Sequence, residues 1–140
     1  MKINKQLLAV LIVSSTSLVS CGGGVKNPSP SLVGTNWQLY SLNGNILGKR
    51  LSKRVTLSFD TKRASGFAGC NRYFSSYHVS ETNGLHFNDI GSTKKLCFKR
   101  RFMRVERNFL NALSNASSYQ INNNELSING SSGALKFKRP

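Results

Sequence analysis

Apolar and polar residues alternate along most of the chain after residue 32, as in strands that bury one face and expose the other. The apolar positions of these segments are Trp37 and Leu39; Val55, Leu57 and Phe59; Tyr77 and Val79; Leu85 and Phe87; Ile121; Leu126 and Ile128; and Leu135 and Phe137. The pattern predicts a mainly β domain made of short, half-buried strands.

Residues that favour tight turns separate the predicted strands. Asn-Gly pairs, which suit the positive φ angles of a type I′ turn, lie between or beside the strands at Asn43-Gly44, Asn83-Gly84 and Asn129-Gly130. The clearest hairpin spans residues 77–87, and two more are expected around residues 60–63 and 122–124. These signals predict a small antiparallel meander. Its closure into a barrel-like or strongly curved sheet would remove its exposed edges.

One segment departs from the period of two. Between about residues 101 and 115, apolar residues recur at three- and four-residue spacing, which indicates an amphipathic helix. They are Phe102, Val105, Phe109, Ala112 and Leu113. We expect this helix to pack its apolar stripe on one opening or face of the sheet, with its aromatic residues in the core.

The first residues have the organisation of a cleavable export signal. Lys2 and Lys5 give a positive start, residues 7–13 are apolar, and small residues precede Cys21. The apolar run is shorter than the roughly 20 residues of a membrane-spanning helix. The sequence LVSC at residues 18–21 resembles the lipobox of bacterial lipoproteins, which implies that residues 1–20 are removed and that Cys21 is acylated. An ordinary signal peptide with a chance cysteine is the alternative.

The residues after Cys21 predict a tether and one domain. Residues 21–31 are rich in Gly, Pro and Ser and cannot bury enough apolar surface to fold, so they are interpreted as a flexible tether. Residues 32–140 suffice for a single domain with a modest core. Gly22 stands where inner-membrane retention would require aspartate. The resemblance to lipoproteins therefore implies a lipid anchor in the outer membrane, facing the periplasm.

The chain is strongly basic. It has 20 basic and 5 acidic residues, a net charge of +15, and loss of Lys2 and Lys5 with the signal peptide lowers this by 2 to +13. Such an imbalance predicts affinity for phospholipid headgroups, lipopolysaccharide phosphates, acidic glycans or nucleic acid. The alternative is that the basic side chains serve only solubility.

Cys70 and Cys97 are the thiols that remain after lipidation of Cys21. In an oxidising compartment a disulfide between them is the natural inference, and two buried free thiols are the alternative. In the chain-entropy view, closing a loop of this size stabilises the fold by about 3 to 4 kcal/mol.

The other ionisable residues form no recognisable catalytic or metal-binding pattern. His78 and His86 occupy alternating strand positions and lack the spacing of a zinc site, and neither cysteine has convincing His and carboxylate partners. No acidic pair is recognisable as an acid-base couple. The acidic residues are Asp60, Glu81, Asp89, Glu106 and Glu125. We therefore expect a protein that is not an enzyme, with no catalytic residue, metal or cofactor.

Several segments, in order along nearly all of the mature chain, resemble the META domain, the HslJ-like family of heat-shock-associated bacterial lipoproteins. They are residues 34–44 (GTNWQLYSLNG), 56–60 (TLSFD), 65–77 (SGFAGCNRYFSSY), 92–97, 106–121 (ERNFLNALSNASSYQI) and 134–139 (ALKFKR). The resemblance implies a compact antiparallel barrel-like domain with one helix, on secreted or lipid-anchored proteins. It also implies loose links to envelope stress and antibiotic tolerance and no established enzymatic activity.

The most specific match is the motif Gly69, Cys70, Asn71 and Arg72, together with Cys97. We interpret this motif as structural. Gly66 and Gly69 permit backbone conformations or close approaches that a Cβ would block. Asn71 has a donor and an acceptor with which to tie a loop to neighbouring backbone. A ligand site at this motif is the alternative.

The sequence departs from the family pattern in residues 94–107, where half of the positions are basic. The basic residues are Lys94, Lys95, Lys99, Arg100, Arg101, Arg104 and Arg107. Phe98, Phe102 and Met103 are interleaved with them, which makes this segment the best candidate anion-binding surface. Basic residues at the start of a helix also oppose its dipole, a small cost that a merely solvated edge would not explain. A solvated edge is nevertheless the alternative.

The preferred hypothesis is a monomeric, lipid-anchored envelope protein whose basic face contacts anionic lipid, lipopolysaccharide or glycan and supports envelope integrity or stress and antibiotic tolerance. One alternative is a periplasmic protein-interaction module or inhibitor that uses exposed aromatic residues such as Tyr73 and Phe74. The other is nucleic-acid binding at the envelope, which would show a steep salt dependence.

Overall fold

The computed structural model describes residues 30–140. The predicted signal peptide, Cys21 and the predicted tether up to residue 29 lie outside the described residues. The strands are β1 (Asn36–Leu42), β2 (Asn45–Ile46), β3 (Thr56–Phe59), β4 (Arg63–Phe67), β5 (Arg72–Val79), β6 (Leu85–Ser92), β7 (Ala116–Asn122), β8 (Glu125–Gly130) and β9 (Gly133–Lys138). The helices are α1 (Lys49–Ser52) and α2 (Arg100–Ser114).

The strands form one antiparallel sheet that curls into a nearly closed barrel. Its strand order is β6-β5-β4-β3-β1-β9-β8-β7, and the short β2 pairs with the end of β1. The two ends of this order meet where Gly84, just before β6, pairs with Ser118 of β7. Beside this bridge the Tyr119 N–H donates to the Asn83 carbonyl at 2.9 Å. The predicted mainly β, barrel-like fold with one amphipathic helix is confirmed.

Alternate side chains of the strands fill the barrel, as their period of two predicts. The apolar residues named above for the strands are buried, apart from Tyr77, Val79 and Ile121, which are half-buried. Phe109 of α2 lies between Tyr73 and Phe137, with ring centroids 5.3 and 6.3 Å away in edge-to-face geometry. Because this helical side chain enters the core of the barrel, α2 covers one of its ends.

The end covered by α2 is called here the helix pole. It also contains the turn between β4 and β5 and the segment of residues 93–99, which hydrogen bonds to that turn. The short α1 leads into the same end, since Val55, just after it, pairs with Ala68 next to the turn.

The opposite end is called the N-terminal pole. Leu32 is buried there, and the Tyr119 hydroxyl donates to the Pro30 carbonyl at 3.1 Å. Strand β5 connects the two poles, from Arg72 at the helix pole to Val79 at the N-terminal pole. At the usual rise per strand residue its length is about 23 Å. The chain therefore enters the described domain at the end farthest from α2.

The turns agree with the sequence in part. Asn43 and Gly44 join β1 to β2 with φ angles of 50° and 81°, as a type I′ turn requires. Residues 60–63 and 122–124 lie at the turns of the β3–β4 and β7–β8 hairpins, and residues 77–87 form the β5–β6 hairpin.

The other two Asn-Gly pairs do not form type I′ turns. Gly84 does not have a positive φ, because the β5–β6 loop is longer than two residues and Gly84 already pairs with Ser118. Asn129-Gly130 belongs to β8, and the turn follows at residues 131–132. This register is required because it places Ile128 opposite Leu135 inside the barrel.

Candidate anion-binding surface

The turn between β4 and β5 sets the geometry of the helix pole. Gly69 has a φ of +106°, which L side chains rarely adopt, and the turn closes with the Ala68 N–H donating to the Asn71 carbonyl at 2.8 Å. Gly66 lies so close to β3 that an added Cβ would be 2.0 Å from the Thr56 carbonyl oxygen. Both glycines are therefore required by the local backbone.

Asn71 is buried, and its side chain is fully used within the fold. Its Oδ1 accepts from the Lys95 N–H at 2.7 Å and from the Thr93 hydroxyl at 2.8 Å. Its Nδ2 donates to the Lys95 carbonyl at 3.1 Å and to Glu106 Oε1 at 2.9 Å. An asparagine amide has two donor hydrogens and two acceptor lone pairs, so these four bonds leave none for a ligand. Asn71 thus clamps the backbone around Lys95 onto the turn.

Glu106 of α2 is the acidic partner in this network. Its carboxylate is buried and accepts from the Asn71 N–H at 2.6 Å as well as from the Asn71 amide. Sequence reasoning missed this role by counting Glu106 among scattered acidic residues. Its position on the apolar stripe, four residues after Phe102 and three before Phe109, is the signal that could have found it.

The predicted disulfide between Cys70 and Cys97 is present, with the two Cα atoms 6.0 Å apart. The disulfide fixes residues 93–99 at Cys97, two residues after the point where Asn71 binds the backbone of Lys95. The backbone of Thr93 adds a further bond, since its N–H donates to the Arg72 carbonyl at 3.0 Å. The segment between β6 and α2 is therefore held at three successive points although it forms neither helix nor strand.

The seven basic residues predicted to bind anions are all exposed. They are Lys94, Lys95, Lys99, Arg100, Arg101, Arg104 and Arg107. Two large apolar side chains lie among them. Leu96 is 90% exposed and Phe98 is 106% exposed. The surface formed by residues 94–101 is called here the basic loop.

Phe102 and Met103 do not belong to this exposed surface. Phe102 is buried and Met103 is half-buried, because α2 turns them toward the barrel. The guanidinium groups of Arg54 and Arg101 lie 5.2 Å from the centre of the Phe102 ring, which they cover on the outside. Of the three interleaved side chains predicted from the sequence, only Phe98 is fully exposed.

A groove lies between α1 and the basic loop. It has a volume of about 570 Å³ and is lined by Arg50, Arg54, Leu96, Cys97, Phe98, Lys99 and Phe102. Sequence reasoning missed Arg50 and Arg54. The signal was the basic run of residues 49–54, but its nearness to the basic loop depends on the tertiary fold.

The start of α2 adds to the positive potential of this surface. Its N-cap, Lys99, makes no side-chain capping bond, and its first turn contains no acidic residue. Free N–H groups and the positive end of the helix dipole therefore face the same region as Arg100 and Arg101. An anion close to this end would reduce the repulsion between like charges.

Tyr73 and Phe74 were predicted to be exposed aromatic residues, and for Tyr73 this is wrong. Tyr73 is 2% exposed, because the alternation of β5 turns it into the barrel, where its hydroxyl donates to the Thr56 carbonyl at 2.8 Å. Burial raises the pKa of Tyr73 well above its usual value. Phe74 is 51% exposed, and the Arg63 guanidinium lies 5.7 Å from its ring centre.

A separate polar pair lies on the barrel wall. The Tyr40 hydroxyl donates to Glu125 Oε1 at 2.6 Å. This hydrogen bond, with smaller contributions from burial and from the charge of Glu125, raises the pKa of Tyr40 from 10.0 to about 12.

His78 and His86 lie directly opposite each other on β5 and β6, and both are exposed. In residues 30–140 no cluster of three or more His, Cys, Asp or Glu residues could hold a metal ion. No helix in the same part of the chain has the length and apolar character needed to cross a membrane.

The META domain family matches residues 30–140 of the chain. An NMR structure of a protein from Burkholderia xenovorans has the same fold, with a TM-score of 0.64 at 23% identity over 99% of each chain. A crystal structure of a DUF4847 family protein from Bacteroides vulgatus is also similar, with a TM-score of 0.58 at 14% identity over 78% of this chain and 94% of that chain. A search of curated proteins found no match. Because the family match covers the whole described domain, the chain belongs to the META domain family.

Proposed function

We propose that this protein is a non-enzymatic, lipid-anchored envelope protein whose helix pole binds anionic envelope components and so supports envelope integrity under stress. One observation carries the proposal: the basic loop and the first half of α2 expose seven basic side chains at one end of the barrel. Arg50 of α1 and Arg54, just after it, extend the same surface across the groove.

Few acidic residues neutralise the positive charge of this surface. Glu106 is the one acidic residue of segment 94–107, and its carboxylate is buried against Asn71. Exposed cations therefore repel one another there unless an anion binds. Each Lys or Arg near an anionic membrane surface contributes about 1 kcal/mol to binding.

The lipidation motif at Cys21 supports a location on the envelope. A protein held there by acyl chains meets anionic headgroups at a high effective concentration, so that a weak second contact becomes sufficient. The hydrogen bonds of the Asn71 amide inside the fold support a structural role for the family motif rather than a ligand site there.

Direct binding measurements test this proposal. Residues 22–140 contain the whole described barrel and its core, so this chain without acyl groups is suitable. Its binding to anionic phospholipid vesicles, lipopolysaccharide and single-stranded DNA is measured at low and near-physiological salt. We expect retention on lipid or lipopolysaccharide at physiological salt.

The decisive variant carries Lys99→Glu, Arg100→Glu and Arg101→Glu. We expect it to bind at least about tenfold more weakly. A matched control with the same change in charge carries Lys62→Glu, Arg63→Glu and Lys136→Glu, at exposed positions away from the basic loop. Equal loss of binding in both variants would show that binding depends on the net charge of the domain and not on the basic loop. Preference for single-stranded DNA would favour the nucleic-acid alternative.

A protein-interaction role is the second candidate, and Phe74 favours it. This ring is half exposed on the outer face of β5, and Arg63 lies beside it. Binding of a protein partner through this ring would survive high salt and would be lost in Phe74→Ser. Binding through the basic loop would not be affected by that change.

A further inference from the structure

We infer that the basic loop docks into a lipid bilayer, with Leu96 and Phe98 inserted among the acyl chains and the flanking Lys and Arg residues on the phosphate headgroups. This inference rests on the proposed function and specifies both the partner, an anionic membrane, and the mode of contact. The proposed function alone requires only surface charge.

The exposure of Leu96 and Phe98 is the first argument. At 90% and 106% they are the most exposed large apolar side chains in residues 30–140; the next is Ile46, at 73%. Neither contributes to the core, and a fully solvated phenyl ring is unfavourable in water. Their positions are therefore not explained by the stability of the fold.

The rigidity of the loop is the second argument. Leu96 and Phe98 flank Cys97, whose side chain is tied to Cys70, and the backbone of Lys95 is held on both sides by Asn71. The two apolar side chains are thus presented outward from a fixed base. A pre-ordered loop loses little conformational freedom on binding.

The chemistry of the loop is the third argument, because it fits a bilayer better than a soluble polyanion. Lys94 and Lys95 precede Leu96, and Lys99, Arg100 and Arg101 follow Phe98. Glycans and nucleic acids offer negative charge but no apolar phase for Leu96. A membrane surface offers both within a few ångströms, and apolar side chains surrounded by Lys and Arg are typical of interfacial membrane contacts.

The length of the tether permits this contact on the membrane that holds the anchor. The helix pole lies about 23 Å from the N-terminal pole, measured along β5. The residues from Cys21 to Pro30 can span at most about 30 Å when fully extended. The domain can therefore lie on its side with both poles near one membrane, attached at two points.

A tryptophan placed in the loop tests insertion directly. The single native tryptophan, Trp37, is buried in the core at 1% exposure and gives a constant background. In the variant Phe98→Trp of residues 22–140, we expect a blue shift of the added fluorescence on vesicles of phosphatidylglycerol and phosphatidylcholine. We also expect quenching by lipids with brominated acyl chains. The matched control is Val33→Trp at the N-terminal pole. Neither change is expected there, because residues 22–140 without acyl groups have no anchor to hold that pole at the vesicle.

A second pair of variants separates insertion from charge. Leu96→Ser with Phe98→Ser keeps every basic residue, and we expect it to lower partitioning onto anionic vesicles by roughly tenfold or more at physiological salt. Because both side chains are exposed, the thermal stability of this variant should match that of the native domain, which excludes misfolding. Native-like partitioning of this variant would overturn the inference.

The outcomes distinguish the two proposals. Vesicle binding without a blue shift or quenching would overturn insertion and leave the proposed electrostatic contact standing. Retention on lipopolysaccharide without vesicle binding would also overturn insertion and leave the electrostatic contact standing. Failure to bind any of the anionic probes would overturn both proposals.

Discussion

Asn71 donates both its backbone N–H and its side-chain amide to the carboxylate of Glu106, at 2.6 and 2.9 Å. The pair links the β4–β5 turn to α2 across the helix pole. The remaining amide bonds of Asn71 hold the segment that leads into the basic loop. One asparagine therefore joins three parts of the chain that are far apart in sequence.

The change Asn71→Asp should destabilise the domain by about 3 to 5 kcal/mol, because a second carboxylate would face the buried carboxylate of Glu106 and a donor would be lost. Unfolding by urea, followed by the fluorescence of Trp37, measures this loss. Glu106→Gln keeps the shape without the charge and should cost less. A loss below about 1 kcal/mol in Asn71→Asp would contradict the role given to this network.

Removal of the disulfide by Cys70→Ser with Cys97→Ser should lower the free energy of unfolding by about 3 to 4 kcal/mol, because the bond closes a loop with a sequence separation of 27. It should also weaken binding to anionic vesicles, since the base of the basic loop is no longer fixed. Denaturation and vesicle binding measure the two effects. The native protein treated with a reducing agent should behave like the double variant; unchanged stability in both would argue against a structural bond.

The change Gly66→Ala should destabilise the domain by about 1 to 3 kcal/mol, because the added Cβ would meet the Thr56 carbonyl at 2.0 Å and force β3 and β4 apart. Gly48→Ala is the matched control, since no atom lies within 4 Å of its added Cβ and its φ is compatible with alanine. Thermal unfolding of the two variants should differ clearly. Equal melting temperatures would mean that the two strands can separate without cost.

The hydrogen bond from Tyr40 to Glu125 should stabilise the fold below pH 10 and lose its effect as the pH rises through 12. The reason is that the pKa of Tyr40 in the folded protein, about 12, lies above its ordinary value of 10.0. Ultraviolet titration of the tyrosines measures this value. In Glu125→Gln the pKa of Tyr40 should fall toward 10.0, while that of the buried Tyr73 should stay high. An unchanged titration of Tyr40 would exclude Glu125 as the cause.

The sequence predicts α2 and the strands that line the barrel well, because each of these elements has one face in a single core. The buried residues Trp37 and Leu39 are two positions apart, as in a strand. The buried residues Phe102 and Phe109 are seven positions apart, as on one face of a helix. The short α1 was not predicted, since its residues KRLS have no apolar stripe and none of them is buried.

The predictions for the site fail where tertiary packing determines which side chains are exposed and which come close together. Tyr73 and Phe74 are adjacent aromatic residues, and a period of two cannot tell which of them faces the barrel. The approach of Arg50 and Arg54 to the basic loop depends on how α1 and the β4–β5 turn meet. Phe98 is exposed beside Cys97, whose bond to Cys70 is a tertiary contact that local propensity does not encode.

The position of β1 in the sheet has a consequence for the order of folding. This first strand pairs with β9, the last strand of the chain, as well as with β3. Until residues 133–138 are available, β1 and β8 each lack their partner on one side, and the core around Trp37 and Phe137 stays open. Completion of the barrel therefore requires the two ends of the domain to pair, a contact of high sequence separation of the kind that slows folding. In a chain that is still being synthesised, this part of the barrel would therefore stay open until the last strand is released.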